Sequence, residues 1–162
     1  IKRGLCSLQV ARDLYGVIVT PDLSEVDAEA AVARRAEIRR ARLARGRRQR
    51  AGPMAPSDGE RVMPAGELLE VVRAGNGYAF RCARCRSVLG PAEADPRSLG
   101  LVLDEPMDAF SPLNRFGLVD EFVVRIFCCP GCGGCYSVEV QRRSDPAIAP
   151  EMELRLQGAA DG

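Results

Sequence analysis

The sequence predicts an α+β protein: a helical N-terminal arm followed by a small antiparallel β domain. Three observations predict it. Alanine- and arginine-rich segments with helix caps fill the first 46 residues. Short β-branched runs broken by Gly, Pro and Asn fill the remainder. Two Cys-x-x-Cys pairs, Cys82-Ala83-Arg84-Cys85 and Cys129-Pro130-Gly131-Cys132, each follow such a run. With no histidine in the chain, the two pairs together imply four thiolates around one metal. Zinc takes four such ligands tetrahedrally at about 2.3 Å. A strand, a cysteine turn and a second strand make the β domain one of zinc-ribbon type.

In chain order, Ser7 is placed to cap a helix over residues 5–16. Leu8, Ala11, Leu14 and Tyr15 form its apolar face, and Gly16 is its left-handed stop. Val17-Ile18-Val19 reads as a brief strand and Thr20-Pro21-Asp22 as a turn. A second helix begins at Ser24 or Asp27 and runs to about Arg45. Its stripe is thin (Ala28, Ala31, Val32, Ile38 and Leu43), and its acids come early and its arginines late, as the helix dipole favours. The arm ends at residue 46. Residues 47–66, rich in Gly, Pro and Arg, read as a linker to the cysteine domain at 67–156, and 157–162 as a loose tail.

Within the cysteine domain, Leu68–Arg73 and Tyr78–Arg81 bracket Gly75-Asn76-Gly77, a hairpin signal that delivers Cys82 and Cys85. Phe122–Phe127 and Tyr136–Val140 are the strands around the second pair. The 86–128 interval far exceeds the 15 to 20 residues of a compact site, so it reads as an insertion with its own structure. Its prolines at 91, 96, 106 and 112 make it irregular, with a short strand over Leu99–Leu103. Met152–Leu156 alternates as a final edge strand.

Six cysteines compete for four places. Cys82, Cys85, Cys129 and Cys132 make two clean pairs and are the predicted ligands. Cys132 with Cys135 also has the spacing, which leaves a second register open. Cys128 precedes the turn on a strand and should point away from Cys129, because strand side chains alternate. Cys6 is remote and reads as a small hydrophobe. Dithiol redox chemistry uses the same spacing and stands as a third function class.

Composition narrows the field. Residues 1–50 hold 12 Lys/Arg against 6 Asp/Glu, while the whole chain nets +1. The run Arg34–Arg50 could serve a zinc-ribbon nucleic-acid binder, the alternative function. No aromatic side chain interleaves it to stack on bases, so nucleic acid is not the expected partner. No apolar run reaches 18 residues, so no membrane helix is expected. Closely spaced thiols suit a reducing cytoplasm. Without histidine there is no Ser-His-Asp triad, and the one lysine, Lys2, has no Gly-rich phosphate loop before it. Asp104, Glu105 and Asp108 could form a carboxylate cluster but read as solvated surface. No catalytic residue is expected.

Two stretches bear a family resemblance. Gly4-Leu5, Ser7, Ala11-Arg12, Tyr15-Gly16-Val17 and Val26-Asp27 resemble the extreme C-terminus of hydantoinase B/oxoprolinase-type subunits, over residues 1 to about 45. Residues 67 to about 156 resemble the zinc-binding gamma subunit of acetone carboxylase and its acetophenone-carboxylase relatives. That likeness rests on Cys82 and Cys85, Glu121-Phe122, and Cys129-Pro130-Gly131-Cys132-Gly133 leading into Val138-Glu139-Val140. Cysteine at 135 departs from the pattern. The resemblance implies a structural zinc and hydantoinase A-type and B-type large subunits as partners. It further implies that ATP and substrate are handled by those subunits. The opening Ile1-Lys2-Arg3-Gly4 fits the C-terminal part of a longer chain.

Overall fold

The structure is a computed structural model, described for residues 6–49, 57–107, 120–146 and 148. Among these residues it is α+β, with two α-helices and two four-stranded antiparallel sheets. The first helix, α1, spans Leu8–Asp13, shorter than the expected 5–16. Ser7 caps it, its hydroxyl accepting from Val10 N–H, and Gly16 beyond it has φ +59°. The expected strand at 17–19 is only a single bridge, Val19 to Val26. The turn between them is tied by Thr20, whose hydroxyl donates to Asp22 at 2.6 Å. That bond, with two from Ser24, holds the Asp22 carboxyl down to about 2. Helix α2 spans Ala28–Arg45, with Asp27 accepting from Ala30 N–H at 2.9 Å as its cap. Of the expected stripe Ala31 is buried, whereas Val32 and Leu43 are exposed.

The interval read as a linker carries structure at both ends. Arg47–Arg48 (β1) pairs with the later strand Leu101–Pro106 (β6), and Arg61–Ala65 (β2) starts the first sheet. That sheet has the order β2-β3-β4-β5, where β3 is Leu69–Ala74, β4 Gly77–Cys82 and β5 Val88–Pro91. The β3–β4 register pairs Ala74 with Gly77, so the turn residues are Gly75-Asn76 and not Asn76-Gly77. Gly75 takes the positive φ (+59°) while Asn76 does not, the pattern of a turn with glycine first.

The second sheet has the order β1-β6-β7-β8, with β7 at Phe122–Cys128 and β8 at Cys135–Arg142. The insertion is therefore partly regular. It supplies β5, a 3₁₀ turn at Pro96–Leu99, and β6, which pairs with β7 along its whole length. The expected strand begins at Leu101, because Leu99 belongs to the 3₁₀ turn. Asp108, Pro112 and the expected strand Met152–Leu156 lie outside the described residues, as does the tail.

Each sheet buries an arginine on a central strand. Arg81 on β4 donates to Glu70 at 2.7 Å and to the carbonyls of Ser57 and Gly59. Arg125 on β7 donates to Asp104, Gln141 and the carbonyls of Asp145 and Pro146. No buried side-chain polar atom lacks a partner among the described residues. A buried cation is tolerable only when its donors are matched, so removing one leaves several acceptors stranded. Arg125→Ala should cost about 3 kcal/mol of unfolding free energy. The check is the shift in urea midpoint at constant slope. A loss under about 1 kcal/mol would mean the acceptors find water instead.

Candidate metal centre

Both cysteine turns grow from hairpin ends and are built alike. In the first, Arg86 N–H donates to Cys82 O at 2.9 Å and Cys82 N–H donates to Ser87 O at 3.0 Å. In the second, Gly133 N–H donates to Cys129 O at 2.8 Å and Cys129 N–H donates to Gly134 O at 2.7 Å. Each pair of bonds curls the chain so that the first and fourth residues point their sulfurs the same way. The residue after each second cysteine must then turn left-handed: Arg86 has φ +63° and Gly133 φ +67°. Ala83 N–H donates to Leu68 O at 2.8 Å, tying the first turn back to the start of β3.

The two turns meet face to face. Cys82 Sγ lies 3.8 Å from Cys132 Sγ, and Cys85 Sγ lies 3.6 Å from Cys129 Sγ. All four sulfurs fall within 4.8 Å of one another. A metal bound tetrahedrally at about 2.3 Å sets its sulfurs about 3.8 Å apart along each edge. A disulfide would require about 2.05 Å. The spacing suits a shared cation and not cross-linked thiols. Cys82 and Cys129 are buried, and Cys85 and Cys132 are half-buried.

The electrostatics lead to the same conclusion. Hydrogen bonds from Cys129, then Cys132, hold the Cys82 thiol down to about 2. Acting as donor to Cys132 and Cys82 pushes Cys129 up, and burial adds to this. Cys132 lies at about 11: the bond from Cys129 lowers it, but Cys82 and burial outweigh that. These three neighbouring thiols therefore pull against one another, and ionising them together requires a positive charge among them, which a divalent metal would supply.

The structure thus brings together Cys82, Cys85, Cys129 and Cys132 as one group. Cys128 and Cys135 face another way, packing with Leu101, Leu103, Val124 and Ile126, whereas Cys82 and Cys129 pack with Leu69, Phe80 and Leu89. Cys6 is half-buried near α1, its thiol directed to Ser7 O, and stands outside the group. Asp104 pairs with Arg47 at 2.7 Å and with Arg125 at 3.2 Å, and Glu105 pairs with Arg45 at 2.8 Å. These acids bind the arm and the sheet and do not converge on a site.

Sequence reading missed the supporting groups. Ser87 and Gly134 return the carbonyls, and Gly131 N–H approaches Cys129 Sγ at 3.4 Å. Aligning the two turns by their cysteines places Arg86 beneath Gly133, which would have revealed the shared left-handed position. Gly133 also admits a close approach of α2: a Cβ there would sit 2.3 Å from Arg39 O.

No protein-family model matches the chain, and no curated protein matches it either.

The two left-handed positions respond differently to substitution. Gly133→Ala adds a left-handed penalty of about 1 kcal/mol to a backbone clash, so thermal melts should show it clearly destabilised. Arg86→Gly removes the same penalty and should be neutral or stabilising by up to about 1 kcal/mol. Equal effects of both changes would show that the turns are not conformationally equivalent.

Proposed function

We propose that this chain is a non-catalytic, zinc-holding module of zinc-ribbon type within an ATP-dependent hydantoinase/oxoprolinase or acetone/acetophenone carboxylase-type assembly. The observation that carries the metal reading is the four-thiol cluster at tetrahedral spacing, set between two sheets. Four soft thiolates suit zinc, and with all four positions taken by sulfur no site remains for an activated water. Bound there, zinc supplies charge compensation and a cross-link; Cys82 and Cys85 hold it from one sheet, Cys129 and Cys132 from the turn of the other. The choice of assembly rests on the resemblances at 1–45 and 67–156, with hydantoinase A-type and B-type large subunits as partners.

The arginine run favours this scaffold reading over a nucleic-acid one. Arg34 pairs with Asp13 and Glu37, Arg45 with Glu105, and Arg47 with Asp104. Those guanidinium groups are engaged within the chain and so contribute less to a phosphate-binding stripe. No helix among the described residues is long and apolar enough to cross a membrane.

Native mass spectrometry of the natural complex should find this module bound to the large subunits. A free monomer, with those partners present, would sink the assignment. The metal is tested separately. Cys129→Ser and Cys132→Ser should lose zinc and most of the cooperative melt, since structural zinc contributes on the order of 10 kcal/mol that exists only in the folded form. Cys128→Ser and Cys135→Ser should keep the metal. Zinc retained in Cys129→Ser but lost in Cys135→Ser would move the ligand set by one turn.

Acidification should release the metal. Cys129 and Cys132 both hold protons at neutral pH without it, so loading displaces at least two. Protons then compete with zinc, and affinity should fall about a hundredfold per pH unit below neutrality. A pH-independent affinity, measured by competition with a chromogenic chelator, would contradict four-thiolate ligation.

A further inference from the structure

Two cysteines take no part in the four-thiol cluster, yet the ladder sets them face to face. Cys128 closes β7 and Cys135 opens β8, and they are register partners across the antiparallel pair. A register shift falls between Phe127 and Cys128, and beyond it Cys128 still stands opposite Cys135, the two thiols hydrogen-bonded. Opposed residues of paired strands have Cα atoms about 4.5–5.5 Å apart. That lies inside the range of about 4.4–6.8 Å that a disulfide bridges without backbone movement. Both side chains pack on the Leu101, Leu103, Val124 and Ile126 side, away from the core that holds Cys129. Cys128 is fully buried and Cys135 half-buried, so Cys135 is the more accessible of the two. The residues between them, 129–134, are the turn that carries two of the four clustered thiols.

We infer that Cys128 and Cys135 form a separate oxidisable dithiol, whose substrate is a small-molecule disulfide and whose product clamps the base of the metal-binding turn. Cys135 as thiolate attacks one sulfur of the disulfide, forming a mixed disulfide and releasing one thiolate. Cys128, deprotonated in turn, attacks Cys135 Sγ and expels the second. The protein loses two electrons and two protons; the reagent gains them as two thiols. No clustered thiol is consumed, because Cys128 and Cys135 pack in a different core cluster from Cys82 and Cys129.

The test uses the full, zinc-loaded chain and glutathione disulfide, with free thiols counted by alkylation and mass spectrometry and zinc measured in the same samples. The expected result is the loss of two alkylatable thiols with zinc retained. That loss should vanish in Cys128→Ser and also in Cys135→Ser. Should Cys128→Ser fail to fold, Cys135→Ala, at the half-buried position, gives the same reading. Three outcomes would overturn the proposal: no thiol lost from the wild-type chain, a two-thiol loss that persists in either variant, or zinc released in step with oxidation.

Discussion

Mutual repulsion of four crowded sulfurs is the constraint on which the rest of the structure depends. Four thiols at 3.6–4.8 Å cannot all ionise unaided, and four protonated thiols leave a polar cluster inside an apolar core. The cluster lies where the two cysteine turns meet, and a cation held there would offset that conflict. The surrounding fold serves that spacing: each turn uses the same pair of backbone bonds, and each ends on a left-handed residue. Gly131 continues the logic at close range, since a Cβ there would meet Ser87 Oγ at 2.5 Å and Cys85 Sγ at 3.2 Å. The two turns approach that closely because one of them carries almost no side chain.

The same economy explains how the arm is held. Gly133 lets the α2 backbone approach the second turn at Arg39, and Arg45 and Arg47 fasten the end of α2 and β1 to Glu105 and Asp104. Exposed pairs of this kind contribute only tenths of a kcal/mol each. Close backbone packing, and not charge, therefore sets where α2 sits. The arm is joined to the cysteine domain by β1 as well, which pairs Arg47 with Val102 and Arg48 with Leu101.

Legibility followed the range of the interactions. Ser7 was readable as a cap, and Asp27 as one of two candidates beside Ser24, because a cap bonds within three residues. The cysteine pairs were readable because metal spacing is also local. The hairpin turn was found within Gly75-Asn76-Gly77, and the β3–β4 ladder decides which two of those residues span it, Gly75 and Asn76. Strands β1 and β2 were hidden in a stretch whose Gly, Pro and Arg content suits a linker. Their pairing partners lie far off for β1, at Leu101 and Val102, and no local pattern encodes that. Val32 was assigned to an apolar stripe and is exposed, since spacing gives a face its direction but not what covers it.

Arg81 and Arg125 show what replaces apolar bulk in a chain with 5% aromatic residues. Each sits on a central strand that leads into a cysteine turn, Arg81 directly before Cys82 and Arg125 in the middle of β7. Each gathers backbone carbonyls from a flanking segment: Ser57 and Gly59 for one, Asp145 and Pro146 for the other. The guanidinium fork suits this task, because several fixed donors can hold several chain segments at once. Such a buried cation adds little net stability over a hydrophobic residue of equal size, but it admits very few alternative arrangements. The four-thiol cluster and the arginine hub of each sheet therefore act in complementary places: the first brings the two cysteine turns together, and the second fixes which segments close over the sheets.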